Sequence, residues 1–242
     1  MEKQKLLYEG KAKQVYQTDD PALIVMHYKD DATAYNGIKK AQIKNKGIIN
    51  SEIAAIIFNR LHEESVPTHF IRKLNEREHL CKKIDIIKLE VIVRNIIAGS
   101  MAKRLNIKEG MKPPNTIYEL CYKNDDLGDP LINDHHAVAL GTATYDDLKT
   151  IYKMTEKINN ILIDFFDLAD ILLINMKIEF GKTNDGQIVL ADEISPDSSR
   201  LWDKASKEIL DKDRFRRDMG RVAESYQEIL DRLTMCKKGR RL

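Results

Sequence analysis

The chain has 242 residues, 43% of them hydrophobic and 32% charged, a globular mixture long enough to bury a core without disulfide staples. Its 40 basic and 38 acidic side chains leave a formal charge of +2, which excludes a global field steering it onto nucleic acid or an acidic membrane. Cys81, Cys121 and Cys236 are odd in number and widely spaced without a CxxC, which argues against a disulfide framework or a zinc site. Met1–Leu7 has no apolar signal core, and nowhere do about 18 uncharged apolar residues run together. The expectation is a soluble cytoplasmic protein with no membrane or nucleic-acid partner.

In chain order, Lys5–Glu9, Gln14–Gln17 and Ala22–Tyr28 read as strands separated by Gly10 and by Asp19-Asp20-Pro21. A helix follows, capped by Asn50 or Ser51, with Ile53, Ile56, Ile57 and Leu61 at helical spacing and Pro67 beyond its end. Ile86–Ile97 reads as a long strand passing through Ala98-Gly99-Ser100 into a short helix at Met101–Leu105. Lys112–Pro130 is a polar stretch containing prolines. Thr144 and Asp147 resemble a capping box opening a long helix, with Leu148, Ile151, Thr155, Ile158, Leu162 and Phe165 as its buried stripe. Strands at Ile171–Phe180 and Gln187–Glu193 follow, then a last helix from about Phe215 to Leu233. The basic tail, Lys237, Lys238, Arg240 and Arg241, reads as a solvated terminus. Early strands and late helices predict an α+β fold, with a boundary near residues 82–90 dividing a mainly antiparallel β lobe, 1–85, from an α+β lobe, 86–242.

Asp185-Gly186 is a favoured two-residue hairpin turn, and closing on it places Glu179 opposite Asp192. Lys177 and Asn175 share the Glu179 face, while Met176, Ile178 and Phe180 point to the core. Like charges directly opposite destabilise a sheet unless a cation lies between them. Magnesium, which takes carboxylate and phosphate oxygens, suits such a pair beside a lysine. Spacing alone leaves two readings open, a magnesium–nucleotide site and an incidental acidic pair on a surface hairpin.

Gly10 bends a strand–turn–strand that carries Lys11 and Lys13; it matches neither the Walker pattern nor GxGxxG, and reads either as a loop lying over phosphates or as an ordinary hairpin with solvated lysines. Ser100 can cap the helix after Arg94-Asn95; the segment reads either as a phosphate site, with free N–H groups and a bidentate contact from Arg94, or as a simple N-cap beside a surface arginine. Ser195–Arg200 is a polar loop directly after Asp192. Arg214, Arg216 and Arg217 make a second anion site or coat the last helix. His135-His136 reads as surface and Trp202 as a core anchor.

Together these segments resemble the SAICAR synthetase family over nearly the whole chain. The resemblance rests on Leu7-Tyr8-Glu9-Gly10-Lys11-Ala12-Lys13, Val91-Ile92-Val93-Arg94-Asn95, Ala98-Gly99-Ser100, Lys103-Arg104 and Lys177-Ile178-Glu179-Phe180-Gly181. It continues through Asp192-Glu193-Ile194-Ser195-Pro196-Asp197, Ser199-Arg200-Leu201-Trp202-Asp203 and Asp211-Lys212-Asp213-Arg214-Phe215-Arg216. It implies two α+β lobes around an ATP cleft, distantly similar to ATP-grasp and kinase folds, usually as a homodimer. It implies ligation of carboxyaminoimidazole ribonucleotide (CAIR) to L-aspartate, with ATP and Mg2+, through an acyl phosphate. By resemblance, Lys11 and Lys13 with Gly10, Ala12 and Val15 hold the nucleotide, and Lys82 lies beside the adenine. Glu179 and Asp192 hold magnesium. Lys177, Lys123 and Arg200 neutralise charge at the reacting groups. Arg94, Ser100, Lys177, Arg200, Arg216 and Asn36 bind substrate. Asn36 and Asn175 stand where the family commonly has aspartates, removing negative charge near the cleft. A small-molecule kinase would use the same lysines, carboxylates and metal, and a nucleotide- or RNA-binding module is the remaining rival.

Overall fold

The computed structural model describes residues 2–35 and 37–239, with the side chains of 237–239 left out. Asn36, Arg240 and Arg241, and the side chains of Lys237 and Lys238, lie outside the described residues. Strands β1 (Lys3–Glu9), β2 (Lys13–Thr18) and β3 (Leu23–Tyr28) form the meander that the Gly10 and Asp19-Asp20-Pro21 breaks predict. A small hairpin follows, β4 (Asp31–Ala34) and β5 (Lys39–Gln42), then helix α1 (Lys46–Glu63). After it come β6 (Phe70–Lys73) and β7 (Glu78–Lys82), which complete a five-stranded antiparallel sheet in the order β1-β2-β3-β7-β6.

The second sheet starts with β8 (Asp85–Arg94), followed by helix α2 (Ser100–Leu105), β9 (Ile117–Tyr122), β10 (Leu131–Ile132) and helix α3 (Asp134–Ala139). Helix α4 (Tyr145–Asp167) leads to β11 (Ile171–Lys182), β12 (Ile188–Ala191) and β13 (Ser199–Asp203). Helices α5 (Asp213–Arg216) and α6 (Val222–Gly239) close the chain. The order is β10-β9-β8-β11-β12, with β13 pairing the first half of β11. The expected α+β class holds. The two sheets meet where Leu190 N–H donates to Pro67 and His69 N–H donates to Leu190.

The α4 stripe is buried as its periodicity predicts, and Thr144 and Asp147 form a capping box. Met176, Ile178 and Phe180 enter the core, where α1 and α6 also bury their apolar faces. Trp202 packs on Ala98 and Ile174. His135 meets Tyr145 at the surface, and His136 belongs to the capping box of α3.

Three expectations are corrected. Helix α1 starts at Lys46, so Asn50 and Ser51 are buried within it rather than capping it. Asp30 does the capping from outside the helix, its carboxylate accepting from Gly47 N–H (2.9 Å) and Asn45 N–H (3.3 Å). The polar stretch Lys112–Pro130 contains β9, whose Leu120 and Cys121 are buried. The final helix is broken: α5 stops at Arg216, and Asp218, Gly220 and Arg221 take positive φ before α6 begins.

Thr144→Ala is expected to lower stability by about 1 kcal/mol. Thermal denaturation should show this as a fall of roughly 2–4 °C in Tm. An unchanged Tm would remove the capping box from the set of stabilising contacts.

Candidate active site

Strand β11 organises the site. Its alternation sends one row of side chains onto the core and the other row, Asn175, Lys177 and Glu179, onto the opposite face. The turn after it differs from expectation. Glu179 pairs with Ala191, not Asp192, and the ladder ends at Thr183 and Gln187 around three residues, Asn184-Asp185-Gly186. Gly186 N–H donates to Thr183 O (2.8 Å) with φ +83°, the turn-plus-bulge geometry of a three-residue hairpin loop. The register therefore moves by one residue.

Asp192 nevertheless reaches Glu179. It stands one residue past the end of β12 with φ +58°, a left-handed conformation that Asp tolerates better than most residues. Such backbone costs of order 1–3 kcal/mol and persists only where neighbours enforce it. Here His69 Nε2 donates to Asp192 O at 3.0 Å, and Lys13 pairs with the Asp192 carboxylate. Burial dominates at His69 and lowers its pKa to about 4, so the ring is the neutral Nε2–H tautomer that can donate to a carbonyl.

Glu179 and Asp192 lie at one end of a cavity of about 550 Å³. Its other lining includes Leu7, Val15, Ile24, Met26, Ile84 and Ile86, an apolar slot between the sheets. Lys123 donates to Glu179 Oε1 at 2.5 Å. Burial, then the nearby Asp192 charge, pushes the Glu179 carboxyl up, with Lys123 opposing. Burial would also raise Asp192, but Lys13 outweighs it and holds Asp192 low. Lys13 itself is raised: burial opposes its charge, and Asp192 and Glu193 more than restore it. Glu193 Oε2 is buried and has no partner among the described residues. The slot thus combines apolar walls with lysine and carboxylate groups at one end, as a nucleotide base and its metal-bound phosphates require.

A second cavity, of about 190 Å³, adjoins along β11. Arg94, Ser100, Asn175, Lys177, Arg200 and Arg216 line it, together with Asp197, whose carboxylate is paired with Lys46. Arg94 is only 1% exposed, with Nε donating to Glu119 (2.7 Å), Nη1 to Ala98 O (3.3 Å) and Nη2 to Ser100 Oγ (3.2 Å). Arg200 donates to Asp213 through Nε (2.8 Å) and Nη2 (3.2 Å), and to Asn175 Oδ1 through Nη1 (3.1 Å). Asn175 Nδ2 is buried without a partner among the described residues. Arg216 donates to Asp213 at 2.5 Å. Three arginines and a lysine around so small a space, balanced mainly from behind, make an anion pocket.

Gly99 shapes this pocket. Its φ is +61°, and a Cβ there would lie 2.5 Å from Arg200 Cζ. Gly99 rather than Ser100 stands at the N-cap of α2, and the Ser100 hydroxyl is spent on Arg94 instead.

The remaining predicted residues lie as follows. Lys177 pairs with Glu90 and lines the anion pocket, whereas Lys123 lines the nucleotide slot. Lys11 pairs with Asp125 at 2.6 Å across the mouth of the slot, and Gly10 and Ala12 shape the β1–β2 turn through Gly10 N–H to Lys13 O (2.8 Å) and Ala12 O from Lys29 N–H (2.8 Å). Lys82 is exposed on β7 and does not line the slot; Lys83 does. Asn36 is outside the described residues. Ser195–Ser198 is a polar turn, but Ser199 and Arg200 belong to β13.

Sequence reading missed Glu90, which faces Glu179 across the β8–β11 ladder and binds Lys177. An acid inside the apolar run Leu89-Glu90-Val91 was its signal. It also missed Asp213, which gathers Arg200, Arg216 and Arg217, and the buried Lys46–Asp197 pair with the Tyr226 hydroxyl donating to Asp197 at 2.8 Å. No local pattern marks the Lys46–Asp197 pair, whose partners lie 151 residues apart, whereas Asp213 stands at i,i+3 and i,i+4 spacing to Arg216 and Arg217, a helical signal that was present in the sequence.

Residues 6–233 match the SAICAR synthetase family model. Phosphoribosylaminoimidazole-succinocarboxamide synthase of Fusobacterium nucleatum subsp. nucleatum is 64% identical over 237 residues, covering 98% of this chain and 100% of that protein. The crystal structure of the same enzyme from Ehrlichia chaffeensis superposes with a TM-score of 0.93 at 42% identity, covering 95% of this chain and 98% of that one. A SAICAR synthetase in complex with ADP superposes at 0.91 with 48% identity, covering 94% and 97%. Fold, site and kinship define an ATP-dependent carbon–nitrogen ligase. The chain belongs to the SAICAR synthetase family, which joins CAIR to L-aspartate in purine biosynthesis. The kinase and RNA-binding readings fall with that membership.

Gly99→Ala is expected to displace the Arg200 guanidinium and raise KM for the ribonucleotide about tenfold or more, the scale of a weakened charged hydrogen bond. Steady-state kinetics check this, and an unchanged KM would take Arg200 out of the pocket wall. A pH effect on stability also follows. His69 and His79 have pKa values lowered by burial to about 4 and about 3, against 6.5 when exposed. The unfolded chain therefore takes up protons below pH 6.5 that the fold refuses. Their contribution is full above pH 6.5 and is lost as pH falls toward 4. Glu179 and Asp211, both raised to about 7 mainly by burial, act in the opposite sense between pH 7.5 and pH 5. Acidification over that range should therefore destabilise the wild type more than His79→Gln in urea, and an equal response of both would contradict the buried neutral assignment.

Proposed function

We propose that this chain performs the family ligation with magnesium–ATP in the larger cavity and CAIR in the smaller, and that the γ-phosphoryl group crosses the seam between them. The observation that carries this is the spacing on β11. Lys177 and Glu179 share a face two residues apart, about 7 Å, so the anion pocket abuts the acidic end of the slot. The ribonucleotide carboxylate would then meet the γ-phosphate beside Lys177 and Lys123.

Glu179 and Asp192 are the residues that would hold magnesium, with nucleotide phosphates completing its shell. One observation fits this: a like-charged pair at one end of the slot, each carboxylate now held by a lysine, Glu179 by Lys123 and Asp192 by Lys13. When bound, the metal would neutralise phosphate charge. Lys13 and Lys11 would orient the phosphates, and Val15 with the neighbouring apolar side chains would enclose the base. Arg94, Ser100, Arg200 and Arg216 would hold the ribonucleotide and its phosphate. A carboxylate oxygen attacks the γ-phosphorus and ADP leaves. The aspartate amine then attacks the acyl carbon, loses a proton, and phosphate departs with the former carboxylate oxygen. Holding the three reactants in this order supplies most of the acceleration.

We assign the two units as residues 1–85 and 86–242 closing on the cleft, and the assembly as a homodimer in the cytoplasm. No helix among the described residues is long and apolar enough to cross a membrane.

Asp192→Asn should raise the magnesium concentration for half-maximal turnover at least tenfold while the chain still folds, as circular dichroism checks. ADP release with and without L-aspartate, with mass spectrometry of the product, tests the whole reading. Aspartate-dependent turnover and an added succinyl group are expected. ADP release indifferent to aspartate, with a phosphorylated product, would overturn it.

A further inference from the structure

Arg216 ends a helix too short to fix its own position. Helix α5 has four residues, and the carbonyls of such a last turn are short of N–H partners. The β4–β5 hairpin supplies donors from far away in sequence. Lys39 Nζ donates to Phe215 O at 2.6 Å, and the Tyr35 hydroxyl donates to Arg216 O at 2.7 Å. The same Lys39 ammonium pairs with Asp218 at 2.5 Å and sits 4.8 Å from the centre of the Phe215 ring. A cation at a helix C-terminus is favourable on its own account. Beneath these contacts Ala32, Ala34 and Phe215 form a small buried cluster separate from the main core.

We propose that the β4–β5 hairpin is a brace that sets Arg216 for the anionic group of the ribonucleotide, with Tyr35 and Lys39 as its positioning residues. The inference rests on the assignment of Arg216 to that substrate. Arg216 is held at both ends: its guanidinium by Asp213 at 2.5 Å and its backbone by the hairpin. Loss of the backbone hold lets the last turn of α5 rotate, and the guanidinium moves with it. Neither Tyr35 nor Lys39 lines either cavity, so neither touches substrate. Their influence passes through Arg216 and leaves the nucleotide slot alone.

The experiment uses the full chain with Tyr35→Phe, Lys39→Met and Arg216→Gln, singly and combined, and measures KM for ribonucleotide and for ATP separately. Tyr35→Phe deletes one oxygen from a half-exposed ring, so it leaves the fold intact, and equal Tm values check this. Tyr35→Phe and Lys39→Met should each raise KM for the ribonucleotide about three- to tenfold, the scale of one lost hydrogen bond, with KM for ATP unchanged. In the Arg216→Gln background that increment should vanish, because interacting sites are not additive. If Arg216→Gln raises the ribonucleotide KM but the hairpin variants do not, or if their effects simply add, the brace is overturned and the substrate assignment stands. If Arg216→Gln itself leaves that KM unchanged, the substrate assignment fails and the brace with it.

Discussion

Two carboxylates share one end of the slot, Glu179 buried and Asp192 about a third exposed at 32%, and two lysines, Lys13 and Lys123, keep that arrangement possible. Burying a charge costs several kcal/mol unless it is paired, and a like-charged neighbour adds to the cost. Each lysine comes from a different sheet. Lys13 belongs to β2 of the first sheet, and Lys123 follows β9 of the second. The site therefore needs both sheets docked, and the ion pairs tie the docking to the site. His69 reinforces the same seam by holding the Asp192 carbonyl while its backbone runs beside Leu190. The left-handed backbone at Asp192 is the local strain this frame supports.

The anion pocket obeys the same rule with the signs reversed. Asp213 is almost fully buried and receives Arg200, Arg216 and Arg217, so one carboxylate organises three guanidinium groups. Glu119 does this for Arg94 and Arg104. Each arginine keeps its charge next to the cavity while a carboxylate behind it fixes the rotamer. Such fixed charge is worth more to a transition state than charge that must reorganise. Glu90 and Lys177 stand at the junction, where a phosphoryl group in transit would be shared between the two cavities.

Much of this was legible in the sequence because it was local. The alternation of Asn175 to Phe180 separated core from site, the capping box at Thr144 opened α4, and Gly10 bent the first hairpin. The expected pairing of Glu179 with Asp192 was one residue out, since Glu179 pairs with Ala191, although the two carboxylates still face the same cavity. A two-residue turn at Asp185-Gly186 and a three-residue loop ending at Gly186 share the same dipeptide, and only the ladder separates them. The left-handed turn at Asp192 then restored the proximity that the register shift had removed. Reading failed where a contact joins distant segments: Asp30 capping α1, Lys46 meeting Asp197, and Lys39 reaching Phe215. No periodicity encodes such pairs. Helix α1 also began early because its cap came from outside, and β9 was hidden between prolines and asparagines.

Whether a phosphoryl group passes from nucleotide to carboxylate across the β11 seam is the claim on which the functional account turns. Turnover of ribonucleotide labelled with 18O in its carboxylate, followed by mass spectrometry of the released phosphate, tests it directly. One labelled oxygen in each phosphate is the predicted result, since the former carboxylate oxygen leaves with phosphorus. Phosphate free of label, with amide still formed, would contradict transfer across the seam.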